Sequence, residues 1–275
     1  MPFTATHVAA ALPIAWLCRW RLPFSALAIG CVVPDIPVFY PHLLSYTATH
    51  SLVGILTHCT PIGVVLYYLY QSLFKQPLSD LLPRSFSERL WPWVNRPINF
   101  SLTAIISVLV CIALGSATHV LWDSFTHYGR WGVMQFPWLN SIAFQVGNFP
   151  IAWYSVVQHA SSLLLLPPML LGFVLWVFAQ TPDTRQREHF QFPRRVAWSV
   201  IAVILVGMAV HFCWIYDSMP HATLLRVVRE SIRIGGAVVM LITLLYCFAM
   251  HMVWSARRRQ RDRTQASLIA AGERS

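Results

Sequence analysis

Five stretches of this chain, residues 52–74, 101–121, 156–179, 197–216 and 234–254, contain no Asp, Glu, Lys or Arg. Each is at least 20 residues long, and about 20 apolar residues are what an α-helix needs to cross the hydrocarbon of a bilayer. A helix satisfies its backbone polar groups internally, which is why it can span lipid. A surface helix of a water-soluble fold would keep a charged face over such a length. Composition agrees: 56% of the 275 residues are hydrophobic and 11% are charged, against about 25% charged in soluble domains. The sequence therefore reads as an all-α, polytopic membrane helical bundle with five long transmembrane helices. Residues 1–255 read as a single integral membrane domain, and residues 256–275 as a basic, disordered cytoplasmic tail.

The first 50 residues are apolar but broken. Segments 7–18 and 22–33 are too short to span, Arg19 and Arg21 separate them, and the second ends in Pro34-Asp35-Ile36-Pro37. Two short helices forming a re-entrant or interfacial hairpin are expected. The opening MPFTATHVAAALPIAW lacks the basic start and the small-residue cleavage site of a signal peptide.

A net charge of +10 invites a nucleic-acid reading, but the distribution argues for lipid. Lys and Arg lie mostly between the apolar stretches and in the tail, where loops meet anionic headgroups. Segments 75–100, 180–196 and the tail carry fourteen of them; segments 1–50, 122–155 and 217–233 carry six. The richer side should be cytoplasmic. That puts the chain in the plasma (inner) membrane, multi-pass, with its C-terminus in the cytoplasm and Asp35, His50 and Asp123 toward the outer face. The expected partner is the lipid bilayer, not nucleic acid. Six cysteines occur without any C-x-x-C pair, and they read as small buried hydrophobes.

Against this background the ionisable residues near the helix ends stand out, because such groups are costly at membrane depth and tend to be functional. His7 opens the first short helix, Asp35 sits between two prolines, and His50 starts the first long helix. His119 and Asp123 close the second long helix, four residues apart and so on one face. His127 extends that stripe by one more turn. Imidazole and carboxylate are ordinary ligands of zinc. Pro37 stiffens the loop that carries Asp35. All five groups fall near the same end of the spanning helices. His58, His211 and His251, by contrast, lie within apolar stretches. They read as histidines hydrogen-bonded to neighbouring carbonyls.

The segments MPFTATH, GCVVPDIPVFY, THSLVG, HVLWDSFTHYGRWGV and QHASS occur in this order. Together they resemble a bacterial membrane-protein family catalogued as domain of unknown function 4184, over roughly residues 1–255. More distantly, the pattern is similar to the YdjM-type membrane-bound metal-dependent hydrolases. Through them it is similar to the zinc-dependent phospholipase C and P1 nuclease superfamily. The resemblance implies His7, Asp35, His50, His119 and Asp123 as metal ligands, with His127 or His159 as a proton donor or supporting group. Pro37 stands where relatives carry an acidic residue, and Gln158-His159 stands in place of an HxxxE. The implied cofactor is thus one or two divalent ions, zinc by its donor set.

Two function classes follow. One is a metal-dependent hydrolase at the membrane, acting on a phosphoester or lipid-linked substrate. The other is a non-enzymatic scaffold or transporter whose His/Asp site is structural.

Overall fold

The computed structural model describes residues 4–185, 194–220 and 224–272. Two short apolar helices, α1 (Thr4–Leu17) and α2 (Phe24–Phe39), open the chain. The turn between them holds Arg19 and Trp20 in the left-handed region, at φ 52° and 56°. Next come α3 (Leu52–Leu81), α4 (Arg84–Val94) and α5 (Leu102–Thr126). Two strands, β1 (Ile142–Val146) and β2 (Phe149–Ala152), form an antiparallel hairpin. The chain ends with α6 (Trp153–Phe178), α7 (Arg194–Ser218) and α8 (Leu224–Gly272). Five of these helices are long and apolar enough to cross a membrane. The protein is predominantly helical and multi-pass, with the hairpin as its one sheet among the described residues.

By packing, the chain divides into two compact units. One comprises the chain through Leu69 together with Pro97–Ala179, the other Tyr70–Arg96 and the chain from Gln180 onward. In the first unit α2 crosses α5 at very short range. Gly30 and Gly115 make this possible. A Cβ on Gly115 would run into the Leu27 carbonyl, and one on Gly30 into the Ile112 carbonyl. Small residues at a membrane helix crossing let backbones approach. Around the crossing, Ala11, Ala26, Leu27, Cys31, Cys111 and Ile112 are wholly buried. The six cysteines are free thiols, and four are buried, in keeping with their reading as small apolar groups.

Several boundaries move from their sequence-based positions. The first spanning helix continues past residue 74 to Leu81, although Pro77 lies inside it. The turn Tyr70–Phe74 is widened. Pro77 has no N–H, so the Leu73 carbonyl loses its helical donor. His251 Nε2 supplies one instead, at 3.1 Å. A second widened turn, Ile55–Cys59, precedes Pro61 in the same way. Segment 75–100, expected as a loop, is largely helical, and segment 122–155 contains the β-hairpin. The last helix begins at Leu224, within the expected loop 217–233. It also continues beyond residue 256 to Gly272. Arg, Gln and Ala, all good helix formers, prolong it. Arg187 and Arg274, both counted in the charge asymmetry, lie outside the described residues.

The crossing at Gly115 generates a stability prediction. Gly115→Ala forces α2 and α5 apart, and overpacking of this kind costs about 1–3 kcal/mol. The thermal midpoint in detergent should fall clearly. Gly172, in α6, has open space around its Cα, so Gly172→Ala should leave the midpoint unchanged or raise it. Equal midpoints for the two variants would mean that the crossing does not limit stability.

Candidate metal centre

Four elements of the first unit deliver side chains to one point. The tight α2–α5 crossing carries His119 to α2, where its Nδ1 donates to the Cys31 carbonyl at 2.7 Å. One turn later on α5, Asp123 lies on the same face. Asp35 comes from the proline-bounded turn within α2. His50 follows the single helical turn Tyr46–Thr49. That turn is pinned by Thr49, whose hydroxyl donates to the Pro34 carbonyl at 2.9 Å. His7 enters from α1, its ring stacked on His119 with centroids 3.7 Å apart.

The tautomers are decided by backbone carbonyls, which can only accept. His119 gives its Nδ1 proton to Cys31, and His50 gives its own to Tyr46 at 3.0 Å. The Nε2 atom of each neutral ring then carries a lone pair, the arrangement seen in metal-ligating histidines. Both Nε2 atoms are buried and lack a hydrogen-bond partner, as do Asp35 Oδ1, Asp123 Oδ1 and His7 Nε2. Burying polar atoms unpaired is costly, and here five of them face one another.

Distances match an ion. His50 Nε2 lies 3.7 Å from Asp35 Oδ1 and 3.3 Å from Asp123 Oδ2. His119 Nε2 lies 3.5 Å from each of the same two oxygens. A tetrahedron with zinc bonds of roughly 2.0–2.2 Å has edges of about 3.3–3.6 Å. Asp35, His50, His119 and Asp123, all buried, each present a ligand atom within 4.8 Å of the others. This group can hold a metal ion.

His7 stands beside this group of four. Its Nε2 lies 3.4 Å from Asp123 Oδ1, the carboxylate oxygen turned away from the cage. Burial holds His7 below the ordinary histidine value, which favours the neutral imidazole with a lone pair. His127 approaches the same oxygen, with Nδ1 at 3.5 Å, and remains partly exposed at the rim. Burial lowers its pKa as well, though the Asp123 charge opposes this.

Of the two residues named as proton donors, only His127 is brought to the cluster. His159 is exposed and donates its Nδ1 proton to the Ser155 carbonyl of its own helix, at 2.7 Å. Its neighbour Gln158 is buried instead, with Nε2 3.4 Å from His127 Nε2. Adjacent helical residues point about 100° apart, so only one of the two can face the site.

Three further residues belong to the site. Thr4 donates to Asp35 Oδ2 at 2.7 Å. Tyr46 donates to Asp123 Oδ2 at 3.3 Å and stacks on His50. Burial, then the charge of Asp123, raises the Tyr46 phenol well above its ordinary value, so it stays protonated. Arg130 lies over the Tyr46 ring, 5.3 Å from its centroid, with Nη1 3.5 Å from the His50 carbonyl. Tyr46 is one helical turn before His50, and that spacing is the only sequence signal for it. The three histidines expected to bind neighbouring carbonyls do not join the cluster. His251 does bind one, that of Leu73, whereas His58 pairs with the Thr57 hydroxyl at 2.8 Å and His211 lies beside Trp214.

Fold and site together define a multi-pass helical membrane protein with a buried His/Asp cluster of metal-binding geometry. The chain belongs to the family described as domain of unknown function (DUF4184), which matches residues 1–250. No curated protein and no solved structure matches it.

Detergent-purified protein should carry a divalent metal by elemental analysis. His119→Ala should abolish it, while His58→Ala should leave metal content near wild type. Tyr46→Phe removes only a supporting hydrogen bond, and should weaken affinity about 10–100-fold. Full metal occupancy in His119→Ala would exclude this cluster as the binding site.

Proposed function

We propose that the protein is a metal-dependent hydrolase working at the membrane surface on a phosphoester, with one or two zinc-class ions held by His7, Asp35, His50, His119 and Asp123. One observation carries this reading. Asp123 turns its two oxygens to two different donor groups. Oδ2 completes the four-donor cage, while Oδ1 is unpaired and faces His7 Nε2. The second group is incomplete and borders His127 at the partly exposed rim. Catalytic metal sites keep open positions, whereas structural ones are closed by protein ligands.

When bound, a divalent ion here supplies a Lewis acid and an activated water near neutral pH. The chain's own residues do the rest. His127 is placed to move a proton at the rim, and Gln158 orients it. Thr4 and Tyr46 hold the two carboxylates in position. Arg130 has no carboxylate within ion-pair distance among the described residues, so its guanidinium is free to meet an anionic group. Similarity of the motifs to phosphoester-cleaving zinc enzymes makes a phosphoester, lipid-linked or free, the favoured substrate. That part rests on analogy.

A second reading is a structural site in a scaffold or transporter. It draws on the cage itself, since four protein donors suffice to close a zinc site. Metal count and turnover separate the two readings. Purified protein is assayed with bis(p-nitrophenyl) phosphate and with a short-chain phospholipid, before and after chelation and zinc return. The hydrolase reading expects turnover lost on chelation and restored by zinc. Asp123→Asn should lose metal and turnover together. Arg130→Gln should keep its metal and raise KM about tenfold or more, the loss of one charged hydrogen bond. Metal held tightly with no turnover on either substrate would favour the structural site. Asp123→Asn with full metal and an unchanged phenotype would leave only a buried hydrogen-bond network.

The charge asymmetry supports an outer-face position of the site in the plasma membrane as part of this proposal. In a background with Cys18 and Cys213 changed to Ser, Asn140→Cys should react with an impermeant maleimide on intact cells. Asn95→Cys should react only after the cells are opened. The reverse pattern would put the centre in the cytoplasm.

A further inference from the structure

Between Arg130 and Asp183 the chain contains no Asp, Glu, Lys or Arg, yet only part of this stretch is spanning helix. The remainder includes the β1–β2 hairpin. Gly147, at φ +59°, makes its two-residue turn, and turns of this kind favour glycine at the first central position. The register pairs Phe144 with Ile151, Gln145 with Pro150, and Val146 with Phe149. Side chains alternate along a strand, and cross-strand partners share a face. Phe144, Val146, Phe149 and Ile151 therefore lie on one face, and Gln145 and Pro150 on the other.

Three of the four side chains on the apolar face are open: Phe144 is 51% exposed, Val146 59% and Phe149 69%, while Ile151 is half-buried. A two-stranded hairpin that leaves such side chains uncovered is marginal in water. Its position tells what covers it. β2 runs directly into the spanning helix α6, and the Trp153 N–H donates to the Ser141 carbonyl, closing the hairpin's root against the start of that helix. Both strands pack on α6. The hairpin is thus continuous with a lipid-facing surface at one end of the membrane. Exposed Trp131 and Trp138 precede it and Trp153 follows it, side chains that settle at the headgroup level.

We propose that the hairpin is a membrane-inserted element, its Phe144/Val146/Phe149/Ile151 face buried in the lipid of the leaflet where α6 begins and its Gln145 face toward water. A pair of labels on the full chain in nanodiscs tests this. In the Cys18→Ser, Cys213→Ser background, Val146→Cys and Gln145→Cys are each modified with an environment-sensitive nitrobenzoxadiazole dye. The proposal expects blue-shifted emission at Val146, quenched by acyl-chain nitroxide lipids and spared by iodide. Gln145 should show the opposite. Phe149→Cys provides a second apolar-face position should Val146→Cys not purify. Equal iodide quenching on both faces would overturn the proposal. So would an apolar-face dye protected from both quenchers, which would mean that a second copy of the chain covers the face. None of these readouts depends on metal or turnover, so the result stands apart from the hydrolase reading.

Discussion

The site is governed by two carboxylates that have no Lys or Arg within ion-pair distance among the described residues. Asp35 and Asp123 are buried, at 1% and 2% exposure. The groups in ion-pair range of them are imidazoles, and two of these, His50 and His119, have their Nδ1 atoms committed to backbone carbonyls. Burying an isolated carboxylate is strongly unfavourable, and the effective penalty remains several kcal/mol per ion after relaxation. Two neutral hydrogen-bond donors, Thr4 and Tyr46, offset only part of it. A divalent cation among neutral imidazoles balances both charges at once, and the lone pairs already point where it would sit. An imidazolium network could balance them also, but its Nε2 protons would face carboxylate oxygens 3.3–3.7 Å away, longer than charge-assisted hydrogen bonds.

This arrangement depends on how closely α2 and α5 approach. Gly30 and Gly115 remove the side chains that would hold the two backbones apart. The hydroxyl of Ser116 donates to the Gly30 carbonyl at 3.1 Å, which adds a polar tie at the same level. One turn further on, the Cys31 carbonyl meets His119. The same crossing thus fixes the helix pair and the tautomer of a ligand. In the second unit polar groups are satisfied by another route. Pro77 frees the Leu73 carbonyl within the hydrocarbon-length helix α3, and His251 from α8 takes it up. An intramembrane histidine here repairs a break in backbone hydrogen bonding, the kind of compensation that lets proline persist in membrane helices.

What could be read from the sequence follows from the range of each signal. Spanning helices are local and long, so charge-free runs locate them. His119 and Asp123 are legible because i and i+4 share a face whatever the tertiary fold. Asp35 and His50 join them only through packing, and their candidacy came from lying near the same helix ends and from motif resemblance. Thr4 and Arg130 are common residue types whose partners lie 31 or more positions away, so no spacing identifies them, and Tyr46 has only its one-turn spacing to His50 as a signal. The choice between Gln158 and His159 turns on the rotation of α6 about its axis, which composition leaves open because the helix is apolar almost all round. Helix ends slipped for a related reason. A widened turn before a proline lets a helix continue where proline would be expected to stop it.

The hairpin was hidden by the same apolar richness that marks the spans. Read for periodicity, residues 142–152 look like more interfacial loop, because aromatic and aliphatic residues surround them on both sides. Only the register shows that the large side chains gather on one face and leave Gln145 on the other. For a polytopic protein this has a structural consequence. The first unit meets lipid through helix surfaces and also through a short sheet rooted at the start of α6. The same helix, one turn further on, holds Gln158 against His127. Lipid contact at the hairpin and polar contact at the rim of the cluster are therefore carried by a single rigid segment. A change in how the hairpin sits in the leaflet would be felt first at the rim, where Gln158 meets the partly exposed His127, and last at the cage, where His119 and His50 are tied to backbone carbonyls.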